Sequence, residues 1–91
     1  MDKTRQQLAH WCAQVVSDEN NATAWFNLGW WSTRAGLFIQ AVNAYERALE
    51  CGIRDPEEAM SNLASVYSDR LANPGAAVQW LDKALQKNPD Y

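Results

Sequence analysis

Trp30 and Trp31 are the side chains of this sequence best suited to binding chemistry. An indole ring offers a large apolar surface and one N–H donor, and tryptophan is enriched where proteins bind other proteins. Adjacent residues on an α-helix point about 100° apart, so the two rings cannot both pack into one core. We predict that Trp31 packs inward and that Trp30 faces a groove or solvent. The alternative is that the first helix covers Trp30 through Leu8 or Trp11.

Residues that could carry catalysis or hold a metal are few. His10 is the only histidine and has no partner at metal or triad spacing, so we interpret it as a surface residue. Cys12 and Cys51 match no metal or redox spacing, and we expect both to be small buried apolar residues in a reducing compartment. No glycine-rich phosphate loop is present. We therefore predict no enzyme activity, no cofactor and no metal site.

Length and charge narrow the class of protein further. The 91 residues suffice for one domain with a thin stability margin. The net charge of −3 argues against a nucleic-acid partner, which requires a basic face. No apolar run approaches the roughly 18 residues of a membrane span, and the N-terminus lacks the apolar core of a signal peptide. We expect a cytoplasmic protein with no membrane association.

Hydrophobic periodicity predicts an all-α chain of about five helices and no strand of useful length. Apolar residues recur three or four positions apart, which places them on one face of each helix. The predicted helices cover residues 3–17, 22–34 and 37–51, then one begins at Asp55-Pro56, and the last runs from Pro74 to Lys87. The predicted apolar face of the first helix carries Leu8, Trp11, Cys12, Val15 and Val16.

Capping and turn residues separate these helices. Asn20 or Asn21 is suited to cap the second helix, and Gly36 to end it in a left-handed turn. Asp55 precedes a proline and can cap the fourth helix, with Glu58 completing a capping box. Both features are local signals that fix where a helix begins or ends.

One spacing occurs twice in the chain, about 35 residues apart. The first occurrence comprises Trp25, Leu28, Gly29, Gly36, Ala41, Tyr45 and Ala48. The second comprises Met60, Leu63, Ala64, Tyr67, Ala77, Leu81, Ala84 and Pro89. Gly29 lacks a Cβ and lets a partner helix approach, and Tyr45 fills the gap between two small alanines. The spacing therefore predicts two successive helical hairpins.

The pattern Trp-x-x-Leu-Gly followed by Ala-x-x-x-aromatic-x-x-Ala resembles the tetratricopeptide repeat family. The resemblance implies one domain over residues 1–91, built as a short α-solenoid of stacked antiparallel hairpins. Residues 1–21 correspond to an N-terminal helix or half repeat, 22–56 to the first repeat and 57–91 to the second. The second repeat departs from the pattern at Met60, Ala64 and Leu71, and its turn is longer by one residue.

Proteins of this family bind peptides or protein segments in a concave groove lined by the first helix of each pair. The resemblance implies that the groove residues are Thr23, Phe26, Asn27, Trp30 and Thr33 in the first pair and Glu58, Ser61, Asn62, Ser65 and Ser68 in the second. The first set is aromatic and can anchor a ligand, whereas the second is small and hydroxylic and leaves room for it. The implied function is a non-catalytic protein–protein interaction scaffold.

Two features refine that implied partner. Asn27 and Asn62 occupy equivalent positions, where related superhelices use asparagine to bond the backbone of an extended peptide. The alternative for these amides is a local hydrogen bond between helices. Phe26 and Trp30 occupy places where a chaperone-tail clamp needs a lysine and an asparagine, so the resemblance does not extend to that ligand.

Two other functions remain open. The fifth helix carries Val78, Trp80 and Leu85 beyond the apolar face that one partner helix requires, so a homodimer could form there. Residues 44–53, followed by Pro56-Glu57-Glu58, also resemble the N-terminal repeats of bacterial tetratricopeptide proteins with a sulfotransferase domain. That second resemblance implies repeats that position a polypeptide substrate for a catalytic domain outside these 91 residues.

Overall fold

A computed structural model describes residues 3–87, which form five α-helices and no β-strand. The helices are α1 (Lys3–Ser17), α2 (Ala22–Arg34), α3 (Phe38–Glu50), α4 (Pro56–Asp69) and α5 (Pro74–Lys87). The all-α prediction is confirmed, and the predicted bounds differ only at α3, which is shorter by one residue at each end. Pro89, the last residue of the repeated spacing, lies outside the described residues.

Each helix packs chiefly on its neighbours in sequence. The most extensive contacts join α2 to α3 and α4 to α5. The contacts between α1 and α2 and between α3 and α4 are less extensive. The two tight pairs are the predicted hairpins, and the short connections at residues 35–37 and 70–73 make their helices antiparallel. Helix pairs that contact mainly their neighbours are the packing pattern of a helical repeat.

The centre of the core lies between α3 and α4. It is formed by Ala41, Val42, Tyr45, Ala59, Leu63 and Val66. Tyr45 and Leu63 are among the largest side chains that are fully buried. Phe26 of α2 and Trp80 of α5 also pack against this cluster. The core therefore ties both hairpins together through the α3–α4 contact.

The helix ends follow most of the predicted capping signals. Asn21, and not Asn20, caps α2, because its side-chain oxygen accepts from the backbone N–H of Ala24 at 3.0 Å. Gly36 has a φ of 79°, the left-handed conformation that only glycine adopts without strain. The prediction for Asp55 was wrong, since its side chain makes no capping bond. The backbone N–H of Glu58 donates instead to the carbonyl of Asp55 at 3.2 Å, so the capping donor is already satisfied.

The predicted burial of several apolar residues was also wrong. Cys12 is exposed and Val16 is 85% exposed, and α1 buries only Val15 fully. Cys51 is half-buried, with its Sγ 3.5 Å from the carbonyl oxygen of Glu19. Leu81, placed by its spacing on the buried face of α5, is also exposed. The physical reason is that α1 and α5 each pack on one neighbouring helix, so each covers only a narrow face.

Candidate functional site

Two cavities lie along the face that α2 and α4 share. The first, of about 190 Å³, is lined by Trp30, Thr33, Arg34, Tyr45, Asn62, Ser65 and Val66. We call it the Trp30 cavity. The second, also of about 190 Å³, is lined by Thr23, Phe26, Ile53, Arg54, Asp55 and Glu58. We call it the Phe26 cavity.

The two cavities follow one another along a single groove. The Phe26 cavity draws on the beginnings of α2 and α4, whereas the Trp30 cavity draws on the later parts of both helices. The two helices therefore run side by side in the same direction. We call this surface the α2–α4 groove.

Most of the groove residues implied by the repeat spacing line one of these cavities. Thr23, Phe26 and Glu58 line the Phe26 cavity. Trp30, Thr33, Asn62 and Ser65 line the Trp30 cavity. Asn27 and Ser61 are half-buried and line neither cavity, and neither does Ser68, which is exposed. The helical spacing thus brings seven of the implied groove residues into two adjoining cavities.

Trp30 is the most exposed of the aromatic rings in the groove. Its side chain is 42% exposed, and its ring centroid lies 5.0 Å from that of Trp31 in an edge-to-face arrangement. The guanidinium carbon of Arg34 lies 4.8 Å from the Trp30 ring centroid and 5.8 Å from that of Trp31. The ring contacts of Trp30 thus come from its own helix. Trp11 of α1 instead contacts His10 and donates to Gln7 at 3.1 Å.

Tyr45 supplies a buried polar group at the inner side of the Trp30 cavity. Its side chain is 1% exposed, and its hydroxyl accepts from the side-chain nitrogen of Asn62 at 3.5 Å. Burial, the largest cause, raises the pKa of Tyr45 to about 12, and the charge of Glu58 adds to the rise. Hydrogen bonds with Thr33 and Asn62 oppose that rise. The cavity therefore presents a neutral hydroxyl at physiological pH.

Thr33 and Asn62 connect this hydroxyl to the helices on either side. The Thr33 hydroxyl donates to the carbonyl of Gly29 at 2.8 Å and also lies within hydrogen-bonding reach of the Tyr45 hydroxyl. For Asn62, the local bond to Tyr45 is the helix-to-helix contact that the sequence left open as an alternative. That bond uses one N–H, so the second N–H and the carbonyl oxygen of Asn62 have no partner among residues 3–87.

Sequence reasoning missed several residues of the groove. Arg34 was interpreted only as the end of α2 and Tyr45 only as a residue that fills the gap between two alanines, and Val66 was not assigned to the groove. Ile53, Arg54 and Asp55 of the α3–α4 connection were not assigned to the groove at all. A signal existed for Arg34, since a basic residue four positions after a tryptophan lies on the same helix face and can cover its ring.

The self-association candidates of α5 fall into two groups. Val78 is 55% exposed and Leu85 is 46% exposed, and Leu81, at 44%, lies between them on the same helix face. Trp80 is half-buried against the core, with the Lys83 side-chain nitrogen 4.3 Å from its ring centroid. Val78, Leu81 and Leu85 thus form an exposed apolar stripe that does not include Trp80.

Within residues 3–87, no three side chains of histidine, cysteine, aspartate or glutamate come together as a metal-binding group would require. None of the helices in the same range combines the length and apolar character needed to cross a bilayer.

Comparison with known proteins gives no family for this chain. Its sequence matches no protein-family model, and a search of curated proteins finds no similar sequence. The resemblance to tetratricopeptide repeats therefore stays a prediction from the spacing of residues in this sequence.

Proposed function

We propose that this chain is a non-catalytic, tetratricopeptide-like interaction module that holds an extended segment of another polypeptide in the α2–α4 groove. The observation that supports this most is the alignment of the Trp30 and Phe26 cavities along one face. Each cavity combines an aromatic ring with polar side chains, which is the composition of a site that anchors a side chain and orients a backbone.

The dimensions of the groove favour a peptide over a small cofactor. Each cavity is about 190 Å³, below the roughly 300 Å³ at which small-molecule pockets begin. From Thr23 to Thr33 the helix rises roughly 15 Å, at about 1.5 Å per residue. An extended chain advances about 3.3 Å per residue, so roughly four or five peptide residues match that length.

The unpartnered atoms of Asn62 suit the backbone of such a segment. A peptide bond offers one N–H and one carbonyl, and the amide of Asn62 has an acceptor and a second donor available. Contacts of this kind recognise a main chain whatever its sequence, while the two cavities would select side chains. This division of roles is common to grooves that bind extended peptides.

A direct test is to select binders from a displayed library of random heptapeptides and to map them by NMR. We expect selected peptides to shift the indole N–H signal of Trp30 and the side-chain amide of Asn62. Trp30→Ala should weaken binding at least tenfold, because an aromatic anchor contributes about 1.5 kcal/mol or more. Leu85→Ala on α5 is the matched control and should bind as the parent does. Selected peptides that shift α5 and leave the groove unchanged would contradict the proposal.

A homodimer through α5 is the second candidate, supported by the exposed stripe of Val78, Leu81 and Leu85. Light scattering across a dilution series distinguishes the two functions. A dimer that the double variant Val78→Ser, Leu85→Ser converts to a monomer would favour self-association. A monomer at all concentrations would remove this candidate.

The sulfotransferase resemblance and the compartment are proposals that rest on the sequence. If the repeats belong to such an enzyme, the segment held in the groove is a substrate presented to a catalytic domain elsewhere. Both cysteines are free thiols, which suits the reducing cytoplasm. Isolation of the endogenous protein, with its mass and compartment measured, tests both proposals together.

A further inference from the structure

Arg34 has hydrogen-bonding capacity that nothing in residues 3–87 uses. Its guanidinium lies over the rings of Trp30 and Trp31. A cation over an aromatic face is held by the ring quadrupole and consumes no N–H donor. The ion pair found within residues 3–87 joins Arg47 to Glu50, at 3.2 Å. Arg34 lines the Trp30 cavity, and its guanidinium N–H donors have no acceptor among residues 3–87.

Arg47 and Arg54 differ from Arg34, because acidic side chains lie beside each of them. Arg47 contacts Glu50 and the carbonyl oxygen of Glu19. Arg54 lines the Phe26 cavity beside Asp55 and Glu58, whose two carboxylates outweigh its charge. Among residues 3–87, Arg34 is the only charged residue that lines the Trp30 cavity. The groove is therefore acidic at the Phe26 cavity and basic at the Trp30 cavity.

The remaining polar groups of the Trp30 cavity agree with an anionic guest. The neutral hydroxyl of Tyr45 and the second N–H of Asn62 add dipoles but no negative charge. Ser65, a lining residue of the Trp30 cavity, donates its hydroxyl to the carboxylate of Asp69 at 3.2 Å. Asp69 makes no ion pair with Arg34, so it does not neutralise that cation directly.

We propose that the Trp30 cavity binds the carboxylate side chain of a glutamate or aspartate in the bound segment, through the guanidinium of Arg34. This inference rests on the proposed function of the groove. A guanidinium presents paired N–H groups that match a carboxylate in two parallel bonds. The indole rings on which Arg34 lies hold it in place, which lowers the entropy lost when the anion binds.

One carboxylate fits this cavity better than a more highly charged anion does. A phosphate carries about −1.5 to −2 charges, and phosphate-recognition sites meet it with several cationic or backbone donors. Here a single cation lines the cavity, in a chain whose net charge is −3. A singly charged side chain matches that single cation.

The test is the selection of displayed random heptapeptides on three proteins: the parent chain, Arg34→Gln and Arg70→Gln. Arg70 is the matched control, because it is also an exposed arginine over an aromatic ring, 5.4 Å from the centroid of Phe38. We expect the parent and Arg70→Gln to enrich glutamate or aspartate at one fixed peptide position. Arg34→Gln should lose that enrichment, while circular dichroism shows an unchanged fold.

A matched pair of selected peptides, one with glutamate and one with glutamine at that position, then gives the magnitude. We expect the glutamate peptide to bind the parent roughly fivefold more tightly, since exposed charge pairs are worth up to about 1 kcal/mol. The advantage should fall with added salt and disappear in Arg34→Gln. Equal binding of the two peptides through the groove would overturn the carboxylate inference and leave the proposed function standing. Selection of no peptide by any of the three proteins would overturn both.

Discussion

Gly29 lies against the ring of Tyr45, and a Cβ built on Gly29 would come within 2.9 Å of ring carbons Cδ1 and Cε1. No side chain fits in that space unless the ring of Tyr45 or one of the two helices shifts. The contact brings α2 onto α3 and holds the Tyr45 hydroxyl beside Thr33 and Asn62, at the inner side of the Trp30 cavity. The absence of a side chain at Gly29 thus determines where the Tyr45 hydroxyl lies in the groove.

Gly29→Ala should therefore destabilise the fold. Alanine gains up to about 1 kcal/mol of helix propensity over glycine, but overpacking a core contact costs typically 1–3 kcal/mol. We expect a net loss of up to about 2 kcal/mol in the free energy of unfolding, measured by urea denaturation. Gly75→Ala in α5 is the control, since its Cβ would meet only the Asn73 side-chain oxygen at 3.8 Å. A neutral Gly29→Ala would mean that the ring of Tyr45 moves aside without cost.

Tyr45→Phe should lower the free energy of unfolding by an amount that depends on pH. Near pH 8 the variant loses the hydrogen bonds to Asn62 and Thr33, which we expect to lower stability by about 1–2 kcal/mol. The pKa of Tyr45 is about 12 when folded, against 10.0 for the unperturbed group. Below pH 10 the neutral phenol therefore makes its full contribution to the free energy of unfolding of the parent. That contribution is lost as the pH rises toward 12, and the loss is about 1.4 kcal/mol at pH 11.

The phenylalanine variant has no such group to ionise. The stability difference between parent and variant should consequently shrink from pH 8 to pH 11, as measured by urea denaturation at each pH. Tyr67 is present in both proteins, so its own raised pKa cancels in the comparison. A difference that stays constant over this range would show that Tyr45 is not held in its neutral form by burial.

Ala72→Gly should stabilise the protein. Ala72 has a φ of 50° in the α4–α5 connection, where an L-residue is strained by about 1–2 kcal/mol. Glycine removes that strain and costs roughly 0.5–1 kcal/mol of chain entropy, so the expected net gain is about 0.5–1 kcal/mol. Ala35→Gly is the matched control, because Ala35 has a φ of −83° and no strain to relieve. The midpoints of thermal unfolding of the two variants are compared with that of the parent. A lower midpoint for Ala72→Gly would contradict the predicted gain in stability.

Trp25→Phe should loosen the connection between α1 and α2. The carbonyl oxygen of Glu19 accepts from the Trp25 indole at 2.8 Å, and the Arg47 and Cys51 side chains lie 3.5 Å from the same atom. Loss of the hydrogen bond from the Trp25 indole to Glu19 should lower the free energy of unfolding by about 1 kcal/mol. Hydrogen exchange should rise most at residues 18–21. Trp11→Phe is the control, since its indole bonds only to Gln7 of its own helix.

Local signals in the sequence suffice to predict the helices and their pairing. Apolar spacing, Asn21, Gly36 and the start of α5 at Pro74 are local signals that act over one or two turns. They fix helix bounds without knowledge of the rest of the chain. The same spacing placed Trp30 and Asn62 on equivalent faces of α2 and α4. Helical geometry converts such spacing into shared faces directly.

Tertiary structure alone decided how wide each buried face is and which side chains meet across helices. Cys12 and Val16 fit an apolar pattern yet are exposed, because a terminal helix packs against a single neighbour. Tyr45 became part of the groove because the bare backbone of Gly29 let α3 approach α2. Burial and cavity shape depend on distances between segments far apart in sequence, which local periodicity does not encode.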